Sequence, residues 1–403
     1  MQSINKIAIV SSSFSPHSGG VSSAHYNLYR LLKKKGFEVK VFTNADPDSS
    51  EHEDVVKRAS PIVIQRIIRI LSSLYFKIKG DKNYRRQLHY ILNVCWASFA
   101  LRGPIKKFQP DILIAPDISA PMYFIGKIPQ CRTILIAHHN PVRFLHNPLI
   151  KLHSELDARL AVAIEEKALR YIDKVICPSA YMKDVFQQTY DYDRPIAVVP
   201  NIVDEALIEA ITAKSVAKEC GTSKKAIAVY IPSAGSDIKG SKYVFELVRR
   251  LHQHCLTAKK EICFYLSGEL NAELQYELNL MVPSAKIFSP GKLPYEKNIA
   301  YIKSCSFAVT PTLLESFGMA QLESLLCGVP VVSFDVGGNK EIIAQGKNGF
   351  IAPYLDVENL IECAQQLCNP KTLQGMQKNT RTTTVTKFKS DIIIEQFIKE
   401  ITA

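Results

Sequence analysis

Short runs of apolar and β-branched residues recur along the chain, each closed by a polar or glycine-bearing break and followed by a stretch with helical spacing. In the first half the runs are Lys6 to Phe14, Glu38 to Thr43, Asp111 to Ala115, Thr133 to Ala137, Lys174 to Cys177 and Ile196 to Pro200. In the second half they are Lys224 to Ser233, Ile262 to Ser267, Lys286 to Ser289 and Phe307 to Thr312. Most of the runs are continuously apolar rather than alternating, as strands buried on both faces are. This predicts an α/β protein of parallel sheets covered by helices, with ligands expected beyond the carboxyl ends of the strands.

The richest strand end lies between Phe307 and Phe350. After the strand FAVTPT comes the polar break LLESFG, and a helix is predicted to begin near Gly318. Gly318, Met319 and Ala320 carry little bulk in its first turn, so its free N–H groups and positive dipole end are open to an anion such as a diphosphate. Glu315 and Glu323 have seven residues between them, which lets them reach opposite ends of one elongated ligand. A carboxylate accepts from two neighbouring hydroxyls, the pair that a sugar or a ribose offers. The plainer alternative makes Glu323 a solvated helix residue and Glu315 a charge at a helix start.

Other strand ends carry chemistry too. Gly19-Gly20 follows the first strand and opens a helix, either as a plain tight turn or as a loop that lets backbone approach a phosphate. His138-His139-Asn140 closes the strand TILIA. Lys239-Gly240 precedes the helix starting at Ser241, where a lysine can neutralise a diphosphate. Gly291-Lys292-Leu293-Pro294 follows the strand at Lys286.

The segment after Pro61 departs from this alternation. Written as a helix, it puts Ile64, Ile67, Ile68, Leu71, Leu74, Tyr75 and Ile78 on one side and Arg66, Arg69, Ser73 and Lys77 on the other. Between Lys57 and Lys107 stand twelve Lys or Arg against one acid, Asp81, which supplies nearly all of the chain's net charge of +12. Either the helix covers a core with a solvated basic face, or it offers a surface to anionic lipid or to an anionic acceptor. Nucleic acid is not expected, because aromatic residues do not interleave with the basic ones.

At 403 residues, 47% hydrophobic and 22% charged, the chain has room for two cores and the balance of a globular protein. No eighteen apolar residues run together, and Met1 to Val10 leads straight into a strand without the pattern of a signal peptide, so a cytoplasmic protein is expected, either free or at the inner face of the membrane. The ten cysteines are scattered through apolar runs without a C-x-x-C pair and read as reduced, buried residues. Two D-x-D triplets, Asp46-Pro47-Asp48 and Asp191-Tyr192-Asp193, could hold a divalent cation against a diphosphate, but both sit in turn-like segments far from the glutamate pair, and no metal is expected.

In order and spacing, Glu315-Ser316-Phe317-Gly318, Glu323, Cys327-Gly328-Val329-Pro330, Gly337-Gly338-Asn339-Lys340-Glu341 and Gly346-Lys347-Asn348-Gly349-Phe350 resemble the signature of the retaining nucleotide-sugar glycosyltransferases of family 4. The resemblance implies the GT-B fold: two Rossmann-like domains with a cleft between them and a C-terminal helix crossing back to the first. Domains are expected at 1–203 for the acceptor and 204–385 for the nucleotide sugar, with the crossing helix at 386–403. It implies that Glu315 sits by the transferred sugar and reacting phosphate, that the backbone of Phe317 and Gly318, with Met319 after them, contacts the donor, and that Glu323 holds the ribose. Gly20 matches a glycine facing the donor phosphate, Lys239 a diphosphate cation, and Lys292 and Leu293 the stretch whose backbone meets the base. One histidine of the family points to the transferred sugar, and His139 fits its offset best, with His138 as the alternative. The sequence departs from the family where a Gly-Arg pair usually ends a strand: Pro232 and Ser233 stand there, leaving Lys239 as the obvious cation.

The implied activity is metal-independent, retaining transfer of a sugar from a nucleotide sugar, UDP-sugar ahead of GDP-sugar, to a glycan or lipid-linked acceptor in cell-envelope synthesis, without a cofactor. Two alternatives stay open: another GT-B nucleotide-sugar enzyme, an epimerase or hydrolase, and a non-catalytic basic protein that binds lipid or nucleic acid through the segment at Lys57 to Lys107.

Overall fold

The computed structural model describes residues 4–12, 14, 19–44, 53–81, 86–145, 147, 149–150 and 154–403. Its contacts divide the chain into two compact units, Met1–Ile202 with Asp391–Ala403, and Val203–Ser390.

The first unit is built on seven parallel strands, β1 (Lys6–Ser11), β2 (Glu38–Thr43), β3 (Val55–Lys57), β4 (Ile112–Pro116), β5 (Arg132–Ile136), β6 (Lys174–Cys177) and β7 (Ile196–Val198), in the order β3-β2-β1-β4-β5-β6-β7. Alternate side chains serve two cores, one on each face of the sheet. Ala8, Val10, Leu113, Ala115 and Val175 face one; Ile7, Ile9, Ile112, Ile114 and Ile176 face the other. Four helices matter below: α1 (Gly20–Lys34), α2 (Ile62–Ile78), α3 (Gln87–Asn93) and α4 (Cys95–Phe108). The terminal helix Ser390–Thr402 belongs largely to this unit. Ile393, Ile394, Phe397 and Ile401 complete the core beside α1, and Lys174 Nζ donates to the Glu400 carboxylate at 2.5 Å.

The second unit repeats the plan with six parallel strands: β8 (Ile227–Ile231), β9 (Ile262–Leu266), β10 (Lys286–Phe288), β11 (Phe307–Thr310), β12 (Val331–Phe334) and β13 (Gly349–Ala352), ordered β10-β9-β8-β11-β12-β13. Val229, Phe264, Val309 and Val332 face one core; Ala228, Tyr265, Ala308 and Val331 face the other. The order reverses at the neighbours β8 and β11, and ligands of such sheets bind beyond the strand ends at that switch. Helix α5 (Ser241–Thr257) follows β8 and α6 (Met319–Leu326) follows β11, so the helix starts tied to Lys239 and to Glu315 stand on adjacent strands.

Ten of the thirteen strands among the described residues fall on the apolar runs; β3, β12 and β13 lie outside them, and the run FAVTPT pairs only over Phe307–Thr310 and turns away at Pro311. Asp46-Pro47-Asp48 lies outside the described residues. Asp191 and Asp193 are exposed, Asp193 with Arg194 Nε 3.8 Å from its carboxylate.

Candidate active site

The glutamate pair stands at the switch of the second sheet. The loop leaving β11 is fastened to the loop leaving β8 by Leu313 N–H on the carbonyl of Ile238 at 2.9 Å, and the side chains follow, with Lys239 Nζ donating to Glu315 Oε2 at 2.6 Å. Two glycines make this close approach possible. A Cβ on Gly240 would lie 2.0 Å from the carbonyl oxygen of Pro311, and one on Gly337 would lie 1.9 Å from that of Glu315; both have positive φ, +82° and +58°. Any other residue at either position would push the loop away.

Gly318, with φ +118°, ends the loop, and α6 starts at Met319 without a side-chain cap. Its first-turn N–H groups lack intrahelical partners and face the strand end. The ring of Phe317 is buried against Phe388, with centroids 6.1 Å apart, and Met319 packs on the same core. These two side chains anchor the turn, and the buried Phe317 offers a ligand only its backbone.

Glu323 sits one turn into α6. It is 8% exposed, and no hydrogen bond or ion pair to its carboxyl is found among the described residues. Desolvation raises it from the ordinary 4.5 to about 8, so it is a neutral acid at pH 7. Tyr230 and Tyr295 feel its charge as part of their own upward shifts. A solvated helix residue is thereby excluded: this is a buried carboxyl with unused hydrogen-bonding capacity, a costly arrangement that a ligand with two hydroxyls would relieve.

Further along the same edge, Gly268 N–H donates to the carbonyl of Gly291 at 3.1 Å, and Gly268 packs on the Cα of Ser233. Ser233 itself has φ +49°. The loops after β8, β9 and β10 thus close on one another through glycine, and a cavity of about 320 Å³ next to them is walled by Glu269, Leu270, Leu278, Ser289 and Gly291. Lys292 is exposed and Leu293 half-buried.

The first unit has its own cluster of polar side chains. The His138–His139 backbone is held from two sides: His139 N–H donates to Asp117 Oδ2 at 2.7 Å, while the buried guanidinium of Arg143 donates to the carbonyl of His139 at 3.0 Å. His138 Nε2 and Asn201 Oδ1 are 2.8 Å apart. His25 meets His138 edge-on, centroids 5.8 Å apart, and its Nδ1 lies 2.9 Å from Ser11 Oγ. Burial lowers His138, against the pull of Asp117, and pushes His25 down to about 3 with help from His138, so His25 is uncharged. His138 is thus buried with structural partners. His139 is half-buried, its ring packs on Phe144 at 5.2 Å, and it reaches a cavity of about 160 Å³ walled also by Gln87, Tyr90, Ile91, Ile118 and Glu165. Glu165 is buried, accepts from Tyr190 and is driven well above the carboxylate range by desolvation. Gly20 opens α1 and is exposed, after Gly19 at φ +111°; residues 15–18 lie outside the described set.

Sequence reasoning missed His25, Asp117, Arg143, Glu165 and Asn201. Asp117 directly follows the strand Ile112–Pro116, so the strand-end rule could have found it; Arg143 reaches back only four residues, to the carbonyl of His139, a bond that spacing does not show, and the others depend on partners distant in sequence.

Comparison with known proteins decides the family. The model of Glycosyltransferase Family 4 matches residues 18–207 and that of Glycosyl transferases group 1 matches 214–383. The chain belongs to glycosyltransferase family 4. Its similarity to an uncharacterised glycosyltransferase of Methanocaldococcus jannaschii is 26% identity over 210 residues, 50% of this chain and 51% of that protein. With the N-acetyl-alpha-D-glucosaminyl L-malate synthase of Bacillus anthracis it is 25% identical over 226 residues, 54% of this chain and 57% of that one; the match thus spans about half of each relative. The alpha-monoglucosyldiacylglycerol synthase of Streptococcus pneumoniae is 22% identical over 348 residues, 81% of this chain and 70% of that one. Among solved structures, sucrose-phosphate synthase of Thermosynechococcus elongatus superposes with a TM-score of 0.77 at 16% identity over 98% of both chains. Anabaena HepE, solved with UDP and glucose, gives 0.68 at 16% identity over 99% of both. The fold of this family-4 chain is GT-B.

Proposed function

We propose that the chain is a retaining glycosyltransferase that moves a sugar from a nucleotide sugar, UDP-sugar ahead of GDP-sugar, to an acceptor hydroxyl of a cell-envelope glycan or glycolipid, without a metal. The observation that carries this is Glu323, a buried carboxyl without a partner among the described residues, one turn beyond an uncapped helix start. A nucleoside diphosphate sugar matches that order of groups: diphosphate at the N–H groups of α6 and at Lys239, ribose diol on Glu323, sugar at Glu315 and the Phe317–Gly318 backbone. The base is assigned to the loops at Gly268–Glu269 and Gly291–Leu293. His139, rather than the buried His138, is assigned to the transferred sugar, and Asp117 and Arg143 position it through its backbone. Preorganised N–H groups and a lysine stabilise a leaving diphosphate without proton transfer. The Streptococcus relative, a synthase of a glycolipid, and the UDP and glucose in the Anabaena structure support the donor and acceptor classes.

The test is incubation with UDP-, GDP-, ADP- and TDP-sugars in the presence of chelator, followed by thermal shift and by NMR of the released or transferred sugar. Stabilisation by one nucleotide class with slow turnover and retained anomeric configuration is expected. No response to any donor, or turnover that requires a divalent cation, overturns the reading.

A further inference from the structure

We propose that α2 is a docking element that lies in the surface of an anionic lipid bilayer, its outward apolar stripe among the acyl chains and its basic edge at the headgroups. The helix has three sides rather than two. Ile64, Ile68, Ser72 and Phe76, at every fourth position, turn toward the protein: Ser72 Oγ is 3.1 Å from His89 Nδ1, and Phe76 is fully buried with the Arg86 guanidinium 4.1 Å from its ring centre. Val63, Ile67, Ile70, Leu71, Leu74 and Ile78 occupy a neighbouring arc of about 100°, and they are between 51% and 74% exposed. Arg66, Arg69 and Lys77, all exposed, form the third side along the free edge of that stripe. Five of the seven residues that sequence spacing put on the apolar side, Ile67, Leu71, Leu74, Tyr75 and Ile78, therefore face outward in the first unit.

The chemistry of the two outer sides selects the occupant. An apolar stripe of this size on a monomer marks an interaction surface, and a phosphate backbone offers nothing to Ile and Leu. A second copy would bring the same basic edge against itself, since between Lys57 and Lys107 the sequence holds a single acid, Asp81, and like charges would oppose it. A bilayer with anionic headgroups satisfies both sides at once: apolar chains below, negative charge at the rim. The exposed aromatic residues Tyr90 on α3 and Trp96 and Phe99 on α4 are of the kind that settles at such an interface. At seventeen residues α2 is about 25 Å long, and no described helix is long and apolar enough to cross a membrane; α2 would lie along the surface. Through α3 the docking surface adjoins the cavity of His139, because Tyr90 and Ile91 are among that cavity's walls.

Vesicle binding reads this proposal without any donor, so it stands or falls separately from the transfer reaction. The full chain is sedimented with vesicles of phosphatidylglycerol and phosphatidylcholine, and with phosphatidylcholine alone, at low and high salt. Expected is binding to the anionic vesicles that weakens with salt, drops roughly tenfold or more in the double variant Ile67→Asp/Leu74→Asp, and loses its salt dependence in Arg66→Glu/Arg69→Glu/Lys77→Glu. All five side chains are exposed, so thermal unfolding is expected unchanged, and donor hydrolysis by Ile67→Asp/Leu74→Asp is expected to equal that of the unmodified chain. Sedimentation that is absent, or the same for all three proteins, overturns the proposal. So does a dimer in solution that Ile67→Asp/Leu74→Asp converts to monomer, which would mean that a second copy covers the stripe.

Discussion

Glu323 shows at a single side chain what the site costs the fold. Its carboxyl titrates at about 8 in the folded chain against an ordinary 4.5. A group raised in the folded state contributes its stability below the unfolded value and loses it as pH rises through the folded one. Stability should therefore fall between about pH 4.5 and 8, and Glu323→Gln, which cannot ionise, should raise the melting temperature at pH 8 by an amount worth on the order of 2–4 kcal/mol, with the gap closing near pH 4. Thermal unfolding across that range checks it. Donor binding has the opposite sign, since a carboxylate accepts from a diol better than a neutral acid does. Apparent affinity should rise roughly tenfold from pH 7 to 9 and become flat in Glu323→Gln. In the proposed arrangement Glu315, whose carboxylate is held by Lys239 at 2.6 Å, belongs to the reacting end instead. Glu315→Ala should lower kcat with little change in KM, whereas Glu323→Ala should chiefly raise KM; steady-state kinetics separates the two.

At the scale of elements, the site is made by strand ends drawn together through glycines. A Cβ at Gly337 meets a backbone oxygen at 1.9 Å, which no rotamer change relieves. Gly337→Ala should displace Glu315, costing about 1–3 kcal/mol of stability and most of the turnover, read by melting and by initial rates. This part of the site was legible in the sequence, because strand, break, helix and the positions of Glu315 and Glu323 all lie within one stretch where spacing is geometry. The first unit was less so. His138 and His139 could be placed at a strand end, but which of them is buried depends on Asn201 and His25, sixty-three and over a hundred residues away. Periodicity likewise gave the apolar side of α2 but could not say which part of it the rest of the unit covers; Ile64 and Ile68 turn in while Ile67, Leu71 and Leu74 turn out, a choice fixed by the packing of Phe76 and His89.

For the whole molecule, the chain leaves its first unit at Ile202 and returns to it at Asp391, so the terminal helix is a structural member of a core laid down by the opening residues. Removing residues 390–403 would strip Ile394, Phe397 and Ile401 from that core. At about 1.5–3 kcal/mol for each buried side chain, the loss approaches the entire stability of a typical domain, and the truncated chain should show an unfolded or aggregated first unit by limited proteolysis. The two-sheet plan, the strand ends and the glutamate pair converge on one claim, that a nucleotide sugar binds at the second sheet's switch point with its ribose on Glu323. Calorimetric titration of the purified chain and of Glu323→Ala with UDP-sugar tests it most directly. Saturable binding that weakens about ten- to a hundredfold in the variant is predicted; equal binding by both proteins, or binding by neither with any nucleotide sugar, would contradict it.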